Sequence, residues 1–194
     1  MGPGVAGRGP GVRPIICCAA AFSALTVSLP SLAAQDGPRP WVAFQAYPAG
    51  LIPAVGGTLA FDRTDIDAHL GVNLTNRRDF GEHDHESGHG FGGGVSVHRR
   101  LGVSPWSIGL RVDLWSMDIA WRDREPGPAR MGTTDITVLQ PTAHLRRTWT
   151  PTRRFAFFTT AALGMEFNVH TRGEPVGDGP ILLLGVGLKW RGRP

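Results

Sequence analysis

The stretch DIDAHLGVNLT, residues 65–75, alternates strictly between apolar and polar side chains. Ile66, Ala68, Leu70, Val72 and Leu74 fall on one face, and Asp67, His69, Gly71, Asn73 and Thr75 on the other. A period of two marks a strand whose faces meet different surroundings. The pattern returns in FAFFTTAALGMEFNVH, where Phe155, Phe157, Thr159, Ala161, Leu163, Met165, Phe167 and Val169 oppose Thr160, Gly164, Glu166, Asn168 and His170. It returns again in WSIGLRVDL and in ILLLGVGLKW, while helix-period stripes are scarce. Eight strands are expected, over residues 41–47, 54–62, 65–76, 90–100, 106–121, 134–148, 155–170 and 181–191. AYPAGLIPAVGG reads either as one bent strand or as a loop between two. The fifth strand changes phase near Ser116, so that Trp115, Met117, Ile119 and Trp121 share a face, and a bulge would explain this. Pro141 removes a ladder N–H from the sixth, which needs a bulge or local unpairing.

The polar face carries Asp67, His69, Arg111, Asp113, His144, Arg146, Glu166 and Lys189 in mid-strand. In a small closed barrel such residues point inward. There acids and bases must pair, because a desolvated charge alone is costly, and the apolar face meets lipid. Glycines among the inward positions, such as Gly92, Gly94, Gly185 and Gly187, are expected to make room for bulky neighbours such as Trp115 or Tyr47. The connections alternate. RTD, LGVSP and TPTRR are short, whereas NRRDFGEHDHESGH, RDREPGPARMG and TRGEPVGDGP are longer. Short turns on one side and longer loops on the other fit an outer-membrane barrel with the short turns periplasmic. Trp41, Phe61, Trp106, Trp149, Phe155 and Trp190 fall at strand ends on the short-turn side, and Tyr47, Phe91, Trp121 and Phe167 near the other end. These are the two aromatic girdles expected at the two membrane interfaces.

The first 34 residues read as a cleaved signal peptide: Arg8 and Arg13, an apolar run over 15–29, Pro30, then small residues suited to cleavage after Ala33 or Ala34. The domain is then expected over 35–194. Cys17 and Cys18 leave with the leader, so an exported chain has neither a disulfide nor a thiolate. The formal charge is +4, and removing Arg8 and Arg13 leaves +2, too little to argue for nucleic acid. Beyond the leader the longest apolar run, ILLLGVGL, is of strand length, so no membrane-spanning helix is expected.

On the leader, the alternating strands, the girdles and a final LLLGVGLKW, the chain resembles the small outer-membrane β-barrel proteins of Gram-negative bacteria, the eight-stranded type, over residues 41–190. The resemblance implies an eight-stranded antiparallel up-and-down transmembrane barrel in the outer membrane, embedded among outer-membrane lipid and lipopolysaccharide. It also implies periplasmic chaperones and the barrel-assembly machinery as partners in biogenesis. The terminal aromatic is similar to the signal that machinery reads, although here RGRP follows Trp190.

The stretch GEHDHESGHG, residues 81–90, gathers imidazoles and carboxylates that suit a divalent transition metal, with His83, His85, His89 and Asp84 as candidate ligands. It has no established ligand spacing, and the plain expectation is a solvated extracellular loop with no cofactor. A third reading folds this loop onto the rim through Arg77 and Arg78, which are also placed to meet lipopolysaccharide phosphates. A rim-located lipid hydrolase is weighed on His170, Thr171 and Glu174. Those families carry a serine two residues after the histidine, and here that position is Arg172. A soluble lipocalin-like exported binder would need an apolar lumen. An eight-stranded barrel is just filled by its side chains, so a plugged, polar interior and a structural or surface-interaction role without catalysis are the expectation.

Overall fold

The computed structural model describes residues 37–79, 81–124 and 129–191. The expected leader, 1–34, lies outside the described residues. Eight strands form: β1 (Arg39–Tyr47), β2 (Gly50–Ala60), β3 (Thr64–Arg78), β4 (His85–Arg100), β5 (Trp106–Asp123), β6 (Arg130–Trp149), β7 (Phe155–Arg172) and β8 (Gly179–Trp190). Each pairs antiparallel with the next, and β8 pairs back onto β1, closing an up-and-down barrel. Closure leaves no strand along most of the wall without a partner.

The strands run further toward one end than the sequence suggests. That end, here called the mouth, carries the connections 48–49, 79–84, 124–129 and 173–178, and the base carries 61–63, 101–105 and 150–154. AYPAGLIPAVGG resolves into two strands around a tight turn, with Tyr47 opposite Gly50. Six of the ten residues of GEHDHESGHG belong to β4, so the long histidine loop shrinks to 79–84. The alternation was broken for a reader of sequence by Gly88, Gly90, Gly92, Gly93 and Gly94. In the barrel Gly92 lies against Trp115, where a Cβ would collide with the indole.

The two mid-strand prolines, Pro53 and Pro141, are handled by local unpairing, whereas Pro40 and Pro180 stand at the second position of their strands. The β6–β7 register runs from Leu139↔Phe167 to Thr142↔Gly164 without a pair at Pro141, and β2–β3 runs from Leu51↔Leu74 to Ala54↔Gly71 without one at Pro53. Each lapse falls where the missing N–H would have been needed. A bulge between Thr137 and Val138 shifts the β6–β7 register, so that His170, expected inward, lies exposed.

The expected phase change in β5 does not occur. Ser107, Arg111, Asp113, Trp115, Met117, Ile119 and Trp121 are all buried, in unbroken alternation. What changes at Trp115 is chemistry. Toward the base β5 is polar inside and apolar outside, with Ile108, Leu110, Val112 and Leu114 exposed. Toward the mouth it is apolar inside, and Ser116, Asp118, Ala120 and Arg122 face out. The two faces exchange character at one level, which the sequence alone presents as a slip of one residue.

The interior therefore has two layers. Near the mouth Tyr47, Ile52, Trp115, Met117, Ile119, Trp121, Ile136, Val138, Ile181 and Leu183 pack as one apolar cluster. Near the base Trp41, Ala43, Ala54 and Phe158 form a small one, surrounded by buried polar and charged side chains.

Candidate functional site

The base layer is an ion-pair network strung between strands. Asp67 of β3 lies 2.7 Å from Arg146 Nη2, 3.6 Å from His98 Nε2 and 4.0 Å from Lys189 Nζ, and accepts from Thr58 and Ser96. Asp113 of β5 lies 2.6 Å from Arg111 Nε and 3.2 Å from His69 Nε2. Arg111 Nη1 donates to Gln45 Oε1 at 2.9 Å, and His144 Nε2 lies 2.9 Å from Thr142 Oγ1. Seven of the eight sequence candidates thus stand in this layer: Asp67, His69, Arg111, Asp113, His144, Arg146 and Lys189 are all buried. Glu166 is buried too, but in the mouth layer, where it pairs with Arg77 and accepts from Gln140 Nε2 at 3.0 Å. Gln45 and His98 belong to the base layer as well, and Gln140 joins Trp115 to Glu166 above it. All three lie on the inward parity of their strands, which is the signal the sequence offers for them.

Two of the mouth loops pack against the interior. Glu86, fully buried on β4, accepts the amides of Glu82 at 2.9 Å, His83 at 3.2 Å and Gly177 at 3.0 Å, so one carboxylate ties the 79–84 loop to the 173–178 loop. Arg77 lies 3.9 Å from Glu86 and donates to the Gly177 carbonyl. His83 stacks on Trp121 with ring centres 4.2 Å apart and planes 9° from parallel. Its Nδ1 lies 3.1 Å from the Asp123 carboxylate and its Nε2 3.0 Å from the Pro175 carbonyl. Val176 is buried beneath, and Asn168 Nδ2 donates to its carbonyl. The space left within the mouth layer, lined by Tyr47, Asn73, Arg77, Glu86 and Glu166 among others, is about 20 Å³, room for about one water.

The candidate metal ligands do not converge. His83 is turned inward on Trp121, while His85 and His89 share the outward parity of β4. Four residues along a strand separate that pair by roughly 13 Å. His85 Nε2 lies 3.1 Å from Asn76, and Asp84 accepts the backbone amide of Arg124. Among the described residues no three His, Cys, Asp or Glu side chains are grouped to hold a metal ion. Arg77 and Arg78, read together as rim arginines, are divided by the strand: Arg77 turns in to Glu166 and Arg78 is exposed.

The aromatic residues also divide. Trp106, Trp149 and Trp190 are exposed at the base, with Phe155 edge-on to Trp190 at 4.8 Å. Arg147 lies over both Trp106 and Trp149, 5.4 and 4.8 Å from the ring centres. Phe61 is half-buried in the 61–63 turn, and its carbonyl accepts from Arg100 Nη2 at 2.7 Å. Trp41, expected in this girdle, is instead buried, 5.8 Å from the His69 ring and 6.0 Å from Phe158. Its parity with Ala43 and Gln45 turns it inward, and Gly56 opposite leaves room for the indole. Tyr47 and Trp121 are likewise internal, leaving Phe91 and Phe167 outside toward the mouth.

For the hydrolase reading, His170 lies opposite Thr137 on the outer wall, and Glu174 is held by Arg130 at 2.8 and 3.0 Å. No nucleophile–base–acid arrangement joins them among the described residues.

No protein-family model matches the chain, and no curated protein matches it. Among solved structures it is similar to the N-terminal β-barrel domain of Pseudomonas aeruginosa OprF, at 13% identity over 78% of this chain and 96% of that one, with a TM-score of 0.46. It is similar to neisserial surface protein A at 11% identity over 80% and 94% of the two chains, with a TM-score of 0.44. It is also similar to Ail, the attachment invasion locus protein of Yersinia pestis, in complex with the heparin analogue sucrose octasulfate. Identity there is 7%, over 79% and 94%, with a TM-score of 0.41.

Proposed function

We propose that the chain is an integral outer-membrane β-barrel with a plugged polar interior and a structural or surface-interaction role, without catalysis. One observation carries this: every strand turns apolar side chains outward around a filled lumen that is charged toward the base and apolar toward the mouth. One such residue per strand is Phe44, Val55, Leu70, Phe91, Leu110, Leu145, Leu163 and Val186, and these are 42% to 73% exposed. Water would penalise that surface, whereas lipid would not. On β5 the belt runs from Trp106 to Leu114, close to the ~9–11 residues that a tilted transmembrane strand needs. Export by the 1–34 leader, handling by periplasmic chaperones and the barrel-assembly machinery, and residence among outer-membrane lipid complete this reading.

The test is fractionation of the expressed protein, followed by electrophoresis in detergent with and without boiling. A band in the outer-membrane fraction whose mobility changes on heating is expected. A soluble periplasmic band with no heat shift would sink the reading.

A further inference from the structure

The outer wall at the mouth carries a cationic row that the interior does not use. Arg78 of β3 pairs in register with His85 of β4, and His85 with Arg122 of β5. Arg124 follows just above, and these four line a groove of about 250 Å³ with Asp79 and Asp84. Across His85 the Arg78 and Arg122 positions stand two strand spacings apart, roughly 10 Å, within the range over which like charges still repel. Here the repulsion has little internal relief: among the described residues Arg78, Arg122 and Arg124 make no ion pair, whereas Arg77, Arg111, Arg130 and Arg146 each do. Asp84 is engaged by the amide of Arg124. Three guanidiniums face two carboxylates, one of them so engaged, with His85 between them.

Position relative to the belt identifies the partner. Leu74 is the last exposed apolar residue of β3, and Arg78 lies four residues beyond it on the same face. That is roughly 13 Å along the strand, and less along the membrane normal because such strands tilt. Arginine side chains reach back toward the interface. On β4 and β5 the last exposed large apolar residues, Phe91 and Leu114, lie six and eight residues short of His85 and Arg122, roughly 20 and 26 Å along the strands, so the row stands above the polar boundary of the mouth-side leaflet and comes nearest to it at Arg78. We infer that this groove binds the phosphate groups of lipopolysaccharide, with Arg78, Arg122 and Arg124 as charge-assisted donors. The inference rests on the outer-membrane reading with the mouth outside.

The experiment uses the purified protein in non-ionic detergent. It is titrated with lipopolysaccharide, with the same lipopolysaccharide stripped of phosphate, and with inorganic phosphate. The readout is the temperature at which the folded electrophoretic band is lost. Intact lipopolysaccharide should raise that temperature, and the other two should not. R78Q/R122Q/R124Q should keep the unliganded temperature, lose the rise, and retain roughly tenfold less lipopolysaccharide through purification. R153Q/R154Q, at the base, should behave as wild type. Should the triple variant give no folded band, R78Q alone carries the test, with a partial loss of the rise. A full rise in the variant, or an equal rise with stripped lipopolysaccharide or inorganic phosphate, overturns the assignment while the barrel stands. A wild-type protein soluble without detergent fails the barrel reading and the assignment with it.

Discussion

Asp67 is the residue on which the base layer turns, because Arg146, Lys189, His98, Thr58 and Ser96 all address its carboxylate. Removing one member of a buried ion pair leaves the other charge without compensation, at a cost of about 3–5 kcal/mol. Asp67→Asn is therefore expected to lower the temperature of band conversion sharply. Adding Arg146→Met should recover much of the loss, since an apolar replacement of the pair is often near neutral. A double variant no more stable than Asp67→Asn would show that Lys189, not Arg146, dominates the site. Glu86 plays the matching part at the mouth. Glu86→Ala leaves three loop amides without their acceptor, a loss of about 3 kcal/mol or more. Here the effect should be local: faster proteolysis at 79–84 and 173–178, with the barrel band retained. Cleavage no faster than in wild type would remove Glu86 from its tying role.

At the scale of the strand, the exchange of faces along β5 makes a sharp prediction. Leu110 and Ala120 are both outward and exposed, yet only Leu110 lies in the belt. Leu110→Arg should destabilise the protein by about 2–4 kcal/mol, the cost of a cation facing the middle of a bilayer, and Ala120→Arg by about 1 kcal/mol or less. Reversible unfolding in lipid vesicles measures both, and equal costs would mean that the wall is lipid-covered to its rim or not at all. The same exchange shows what was legible in the sequence. Eight strands, their order and the inward parity of Asp67, Arg111, Asp113 and Arg146 could be read, because period two needs only local information. Trp115 to Trp121 read in the sequence as the far side of a bulge. An apolar run on the inward parity looks like a register slip when the lumen is assumed polar throughout. Trp41 was misplaced for a related reason: position near a strand end says girdle, but only parity and the gap at Gly56 say which way the indole turns. The histidine loop looks longer in the sequence than it is because glycines hide alternation, and its mouth-tying carboxylate, Glu86, lies in that glycine-masked stretch of β4.

For the whole molecule, the two layers make closure redundant. Ions crossing from the base meet the Asp67–Arg146 and Asp113–Arg111 pairs. Past them stand Trp115, Ile52 and Leu183, all buried to near completion, and then the tied loops. The wild-type protein in a planar bilayer is expected to show no conductance steps of porin size. Trp115→Ala, which thins only the apolar layer, should remain closed because the charged layer still fills the lumen beneath it. Removing charges from the base layer alone should likewise fail to open a path, because the apolar layer and loops stay. Only variants that combine Trp115→Ala with loss of Glu86 and of the base pairs should conduct. Discrete steps from the wild-type protein would mean that the layers part together in the membrane, and that the filled lumen is one of two states of the barrel rather than its working form.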